Sequence, residues 1–186
     1  MTGSLQRRKS RYAFLPFHGR YITIFNTKNL LNRADLMKLY YAFIYSTIRY
    51  GIIFWGNSKG VERIFKMQKR ILRNIFGLKK RETCRLIFEE NEIMTVHNIY
   101  IRESVLFVNR NRHYFTFNRE IENYRGRKES DVRIMEMPKG MIAKGLKFNY
   151  CSKIYNKLPR AIKAIEERNI FKSKVDELCK KSVYYT

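Results

Sequence analysis

Aspartate is scarce in this sequence. Of its 16 acidic residues, only three are aspartates, and Asp35, Asp131 and Asp176 lie far apart. Catalysis by two metal ions needs paired carboxylates that hold both ions, and no two of these aspartates are neighbours. The adjacent pair at residues 89–90 is typical of solvated glutamates at the end of a short helix. We therefore expect that this chain is not an enzyme on its own.

Cysteine and histidine are equally few, with three of each and no spacing typical of a metal site. An odd number of widely spaced cysteines is typical of reduced thiols in an intracellular protein. No glycine-rich phosphate loop is present either. We therefore expect neither a metal ion nor a cofactor. The residues concerned are Cys84, Cys151, Cys179, His18, His97 and His113.

Long apolar runs are absent as well. The longest weakly charged run, residues 40–56, is rich in tyrosine, is interrupted by Arg49 and is short for a membrane span. No apolar core follows the first basic residues, so we expect no signal peptide. The expected location is inside the cell, in the nucleus or the cytoplasm, without membrane contact.

Positive charge dominates the composition. The chain has 39 lysines and arginines against 16 acidic residues, which gives a net charge of +23. Such an excess destabilises a compact state unless a polyanion neutralises it. Aromatic residues make up 15% of the chain, and aromatic rings among cations suit single strands and hybrid duplexes. The composition indicates RNA or DNA as the partner, ahead of an anionic membrane surface.

Residues 36–57 form the most apolar stretch, and their spacing predicts the central helix of a mostly α fold. Because apolar residues cover nearly the whole circumference of this helix, we expect it to be buried all round. One side holds Leu36, Leu39, Tyr40, Phe43, Thr47, Tyr50 and Phe54, and the other holds Tyr41, Ile44, Tyr45 and Ile48.

Residues 61–78 predict an amphipathic helix with an apolar stripe and a basic face, which Gly77 ends. A second basic group lies in the loop at residues 123–128. These are the candidate phosphate-binding residues, and for each of them an ordinary solvated surface is the alternative. They are Arg63, Lys66, Lys69, Arg70 and Arg73 on the helix, and Arg125, Arg127 and Lys128 in the loop.

Three motifs in the chain carry a resemblance to a known family. Residues 49–57 read Arg-Tyr-Gly-Ile-Ile-Phe-Trp-Gly-Asn, residues 123–134 hold the basic loop and an alternating segment, and residues 155–159 read Tyr-Asn-Lys-Leu-Pro before a Phe-Lys-Ser-Lys helix start. In this order they resemble the region after the polymerase palm in non-LTR retrotransposon reverse transcriptases, the jockey-like group in particular. The resemblance spans about residues 30–184. Tyr155 stands where that family usually has tryptophan.

Composition, periodicity and the resemblance together predict four segments. Residues 1–29 would be a basic leader with an irregular part, and residues 30–114 a helical thumb-like domain. Residues 115–145 would hold the basic loop and a short strand at residues 131–137. Residues 146–186 would be a C-terminal helical segment, with Asn169 as the N-cap of its last helix. Asn32 is the expected N-cap of the central helix.

The family's thumb holds the template–primer, so the resemblance implies a monomeric, nucleic-acid-binding C-terminal fragment of an RNA-directed DNA polymerase. Its contacts would be to the phosphates of RNA and DNA. The catalytic palm, with its paired aspartates, is missing, and a palm-containing segment encoded elsewhere would be a further partner. The alternative is a decayed retroelement remnant, or a structural basic protein, with no selected activity.

Overall fold

Apolar residues at helical spacing make the protein mostly helical, as a computed structural model shows. The structure describes residues 19, 22–121, 128–134 and 142–181, with the side chains of residues 142–148 left out. Most of the described residues are helical, which confirms the expected mostly α class. The helices are α1 (Arg33–Leu39), α2 (Ser46–Arg49), α3 (Ile52–Trp55), α4 (Val61–Phe76), α5 (Arg85–Glu90), α6 (Val96–Arg110), α7 (Ile142–Asn156), α8 (Arg160–Lys163) and α9 (Arg168–Lys181).

The chain divides into two compact units. The first unit comprises Met1–Tyr100 and Lys180–Thr186, and the second comprises Ile101–Cys179. Each unit has its own buried apolar side chains. The expected basic leader lies outside the described residues, whereas residues 22–27, in the segment next to it, are helical.

In the first unit, the central stretch is buried along one stripe only. A π-helix, Tyr40–Tyr45, joins α1 to α2. On a regular α-helix, residues four apart rotate by about 40° around the axis, but the wider i→i+5 turn of a π-helix reduces this drift. Residues at a spacing of four therefore stay on the core side. They are Leu36, Tyr40, Ile44 and Ile48, each at most 3% exposed.

The expectation that this stretch is buried all round was wrong. Tyr41 and Phe43 are each about two-fifths exposed, and Tyr50 and Phe54 are exposed further still. The stretch is also not one continuous helix, because Gly51 between α2 and α3 has a φ of 62°. Only glycine adopts that left-handed conformation without strain, so the chain turns there and the side chains beyond it change direction.

A second glycine allows close packing after α3. A Cβ atom at Gly56 would lie 2.4 Å from Cδ2 of Tyr100 and 2.8 Å from the carbonyl oxygen of Ile52. The indole N–H of Trp55 donates a hydrogen bond to the carbonyl of Tyr50 at 3.3 Å. Residues 50–56 read Tyr-Gly-x-x-x-Trp-Gly, and each fixed position after the tyrosine has a structural reason. The first glycine makes the left-handed turn, the tryptophan ring ties that turn to α3, and the second glycine lies where no side chain fits.

Helix α4 forms as its sequence predicts. It ends at Phe76, and Gly77 follows with a φ of 71° as the left-handed C-cap. Its apolar face is buried, with Phe65, Ile71 and Leu72 fully enclosed.

A glutamine on the apolar face of α4 caps the next long helix. The amide nitrogen of Gln68 donates to the hydroxyl of Tyr40 at 2.8 Å and to the carbonyl of Met94 at 2.9 Å. Its amide oxygen accepts from the N–H of Val96 at 3.0 Å. Val96 is the first residue of α6, so its N–H has no acceptor within the helix. Gln68 supplies that acceptor from a different helix.

In the second unit, the expected strand at residues 131–137 is reduced to a single bridge in its described part, residues 131–134. Val132 forms an isolated antiparallel bridge with Phe117. On its other side, the N–H and the carbonyl of Val132 both bond to the side-chain amide of Asn156, each at 2.8 Å. A side chain thus occupies the place of a further strand, and the pairing stops there.

Aromatic rings and a buried ion pair surround this bridge. Tyr155 packs edge-on against Phe117 and stacks on Phe171, with ring centroids 6.0 and 6.5 Å away. The ammonium group of Lys163 is buried, and it donates to the carboxylate of Asp131 at 2.6 Å. The motif at residues 155–159 is therefore architectural, since its tyrosine and asparagine hold the second unit together.

The helix ends agree with the sequence in one case and not in another. Asn32 caps α1, because its side-chain oxygen accepts from the N–H of Asp35 at 2.9 Å. The N-cap expected at Asn169 was wrong. The N–H of Phe171 bonds to the carbonyl of Glu167 at 2.9 Å, so α9 begins one residue earlier and Asn169 lies within it.

Candidate nucleic-acid interface

The basic face of α4 consists of Arg63, Lys66, Lys69, Arg70 and Arg73. Arg63, Lys66 and Arg70 are exposed, and in the described part of the chain they have no carboxylate partner. Their spacing of three and four residues places them on one side of the helix. From Arg63 to Arg73 this face is about 15 Å long.

The other two cations of this face are partly held by the protein. The ammonium group of Lys69 lies 4.2 Å from the ring centroid of Phe65. The guanidinium of Arg73 donates from Nε to the carbonyl of Glu82 at 2.8 Å, which leaves its terminal nitrogens for other acceptors. These contacts hold the two side chains against the protein.

One carboxylate belongs to α4, at its first turn. Glu62 is 3.1 Å from Nε2 of His97. The helix therefore carries five cations and one anion, and a negative group in its first turn is favoured by the helix dipole. The centre of the basic face, around Lys66 and Arg70, is free of negative side chains from α4.

The three loop candidates belong to a different part of the chain from this face. Lys128 is exposed, and its carbonyl accepts from the side-chain amide of Asn118 at 2.9 Å. It belongs to the second unit, whereas α4 belongs to the first. Arg125 and Arg127 lie outside the described residues. The structure therefore places five of the eight candidates on one face, that of α4.

Each of the three aspartates makes contacts that explain it structurally. Asp35 pairs within α1, since its carboxylate accepts from Lys38 at 2.8 Å, and this contact holds the pKa of Asp35 below its usual value. Asp176 accepts two hydrogen bonds from the buried Arg102, at 2.5 and 3.1 Å. Asp131 binds a buried lysine, as described above. Among the described residues, no three His, Cys, Asp or Glu side chains lie close enough to hold a metal ion.

The three cysteines are buried and form no disulfide. Burial raises the pKa of Cys84, Cys151 and Cys179, the last to about 11. A thiol is nucleophilic only as the thiolate. These three side chains are therefore poorly suited to nucleophilic chemistry at neutral pH.

Sequence reasoning missed two exposed aromatic side chains beside the α2–α3 turn. Tyr50 is 86% exposed and Phe54 is 63% exposed. The helical spacing predicts both on a buried face, because it treats residues 36–57 as one continuous helix. The signal that could have separated them is Gly51, since a glycine inside a helical pattern marks a potential break.

No helix in the part of the chain that the structure describes has both the length and the apolar character needed to cross a membrane. Searches against protein-family models, curated proteins and solved structures find no match to the chain. Its function is therefore inferred from its own sequence motifs and from the charges, burial and contacts of its residues.

Proposed function

We propose that this chain binds RNA and DNA through phosphate contacts, as the C-terminal, thumb-like fragment of a non-LTR retrotransposon RNA-directed DNA polymerase. It lacks the catalytic palm, so it does not transfer nucleotides by itself. The sequence motifs described above supply the family assignment. The charge arrangement on α4 supplies the binding surface.

The observation that carries this proposal is the fixed orientation of α4. Its apolar side chains, including Ile64, Phe65 and Ile71, are enclosed in the first unit. The helix cannot turn without exposing them, so Arg63 and Lys66 must point to solvent. A row of outward cations on a rigid helix is a surface that suits a phosphate backbone.

The size of the face sets the expected strength of binding. A nucleic-acid strand in a duplex rises about 3.4 Å per phosphate, so a face about 15 Å long spans roughly four phosphates of one strand. Each neutralised phosphate contributes about 0.7–0.9 to the slope of log K against log salt. For α4 alone, we expect a slope of about −3 to −4.

The test is the affinity of the purified chain for a labelled RNA–DNA hybrid, measured by fluorescence anisotropy across a salt series. The variant Arg63→Gln/Lys66→Gln/Arg70→Gln removes three exposed cations from the α4 face. We expect it to bind more weakly and to reduce the salt slope by about 2–3. Circular dichroism of the same samples checks that the helices remain.

A charge-matched variant in the second unit is the control. Lys157→Gln/Arg168→Gln/Lys172→Gln also removes three positive charges from exposed positions. If binding depended only on net charge, the two triple variants would lose equal affinity, and this result would refute an interface on α4.

A decayed remnant without selected activity is the second candidate, and one observation favours it. Leu30 is 82% exposed and the adjacent Leu31 is 37% exposed, in the turn before α1, and such an apolar patch is expected where a palm once packed. Such a remnant would bind a hydrophobic dye and unfold without a cooperative transition. Cooperative unfolding together with α4-dependent binding would exclude it.

A further inference from the structure

Tyr50 presents the most exposed large apolar side chain in the described part of the chain, at 86%. An exposed tyrosine ring does not bury its large apolar area, and such burial is otherwise a major source of stability. Phe54, four residues on, is 63% exposed. Two strongly exposed aromatic rings so near in sequence form an aromatic pair that the fold of the first unit does not use for its core.

The backbone of this aromatic pair is held in place. Tyr50 ends α2, with its N–H bonded to the carbonyl of Ser46 at 3.0 Å. The N–H of Phe54 bonds to the carbonyl of Gly51 at 2.8 Å, and the indole of Trp55 bonds to the carbonyl of Tyr50. The turn is therefore ordered by three hydrogen bonds, and little conformational entropy would be lost when a ligand contacts it.

Tyr50 lies directly before the turn at Gly51, and Phe54 lies in the short helix α3 directly after it. A Cβ atom placed on Gly51 would be 3.7 Å from Cδ2 of Phe54, so the phenylalanine ring lies against the residue that follows Tyr50. The turn thus offers flat aromatic surface at neighbouring positions. A flat, exposed and ordered aromatic surface is what unpaired bases stack on.

The charged residues that flank the aromatic pair in the sequence have one sign. Arg49 and Lys59, on either side of it in the sequence, are exposed. No acidic residue occurs between Asp35 and Glu62. Protein interfaces also have a polar rim, but a nucleic acid brings phosphates together with its bases, which matches a sequence flank that has cations and no acidic residue. Charge complementarity therefore favours nucleic acid as the occupant.

We propose that the aromatic pair Tyr50 and Phe54 is a stacking site for unpaired bases of single-stranded nucleic acid. This inference rests on the proposed nucleic-acid-binding function and adds a second contact to it. The basic face of α4 binds phosphates, while the aromatic pair binds bases without reading their sequence, because every base has a π-face. The chain would then prefer strands with unstacked bases over a bare phosphate backbone.

The test compares two labelled single strands of equal length and charge, each of about 12 nucleotides. One is oligothymidylate, and the other has abasic sites at its internal positions. The wild-type chain should bind the first more tightly, by roughly 5- to 150-fold for each stacked base. Tyr50→Leu/Phe54→Leu keeps apolar side chains at both positions but removes the rings, so it should bind both strands equally.

The matched control is Tyr114→Leu, which replaces another exposed tyrosine, 57% exposed, outside the aromatic pair. It should keep the wild-type preference for the strand with bases. The salt slope separates the two contacts, because the leucine variant should retain the slope of the wild type, whereas the α4 glutamine variant should not.

Several results would overturn the inference, and they differ from failure of the proposed function. Equal affinity of the wild type for both strands, or an undiminished preference in the leucine variant, refutes base stacking while phosphate binding stands. If neither strand binds in a salt-dependent way, the proposed function itself fails. If analytical ultracentrifugation finds a wild-type dimer that the leucine variant abolishes, the aromatic pair is an interface between copies of this chain and the inference is refuted.

Discussion

Replacing Gln68 by methionine would remove three hydrogen bonds from the first unit while nearly preserving the side-chain volume. Gln68 is 1% exposed and bonds to Tyr40, Met94 and Val96. Helix propensity is similar for the two residues, so α4 itself should be little affected. The perturbation is therefore the loss of the polar contacts alone.

The expected cost follows from the groups left without a partner. The N–H of Val96 lies at the start of α6 and has no acceptor within that helix. The carbonyl of Met94 and the hydroxyl of Tyr40 lose a donor. An unsatisfied buried backbone group costs about 1–3 kcal/mol, so the two backbone groups together predict a loss of about 2–6 kcal/mol in the free energy of unfolding.

Urea unfolding provides the measurement, followed by circular dichroism and by the fluorescence of the single tryptophan, Trp55. The midpoint should fall, with little change in the slope m. Arg70→Met, on the exposed face of the same helix, is the control and should change stability by at most about 0.5 kcal/mol. A loss below about 1 kcal/mol for Gln68→Met would refute the capping role of its amide.

Three further predictions concern other contacts. Gly56→Ala should lower the free energy of unfolding by about 1–3 kcal/mol, since its Cβ would meet the ring of Tyr100 at 2.4 Å; an unchanged thermal midpoint would contradict this. Asp131→Ala should cost about 3–5 kcal/mol in chemical denaturation, because it leaves a buried lysine unpaired, and a neutral effect would show that the lysine is solvated. Lys180 donates a hydrogen bond to Glu92 and holds its pKa below the usual value. This ion pair stabilises the fold above the unfolded pKa of Glu92 and loses that effect as the pH falls through the folded value, so the Tm difference between wild type and Glu92→Gln should vanish in acid rather than stay constant.

The sequence predicted the structure correctly where a single apolar face determines how a helix packs. The stripe of α4 and its terminating Gly77 are both visible in the sequence, and the structure has the helix at Val61–Phe76. The same reasoning failed for residues 36–57. Hydrophobicity alone does not distinguish a side chain that faces the core from one that faces solvent, and Tyr50 lies in an apolar stretch but beyond the reach of the core.

Long-range contacts could not be predicted. Gln68 interrupts an apolar stripe, which is visible in the sequence, but its partners lie 26 to 28 residues away. Asn156 bonds to the backbone of Val132, 24 residues away. No local pattern identifies such partners, because they depend on how the helices pack. Of the candidate interface, the sequence predicted the α4 cations and missed the aromatic pair.

The amide of Asn156 also bears on how this chain behaves at high concentration. A strand edge with free N–H and carbonyl groups can pair with the same edge of another molecule, and such pairing propagates into aggregates. At Val132 both groups are already occupied by a side chain of the same unit. The short bridge therefore has no open edge at this residue, and Asn156→Ala would create one. One asparagine thus helps keep an aromatic-rich chain from associating through its backbone.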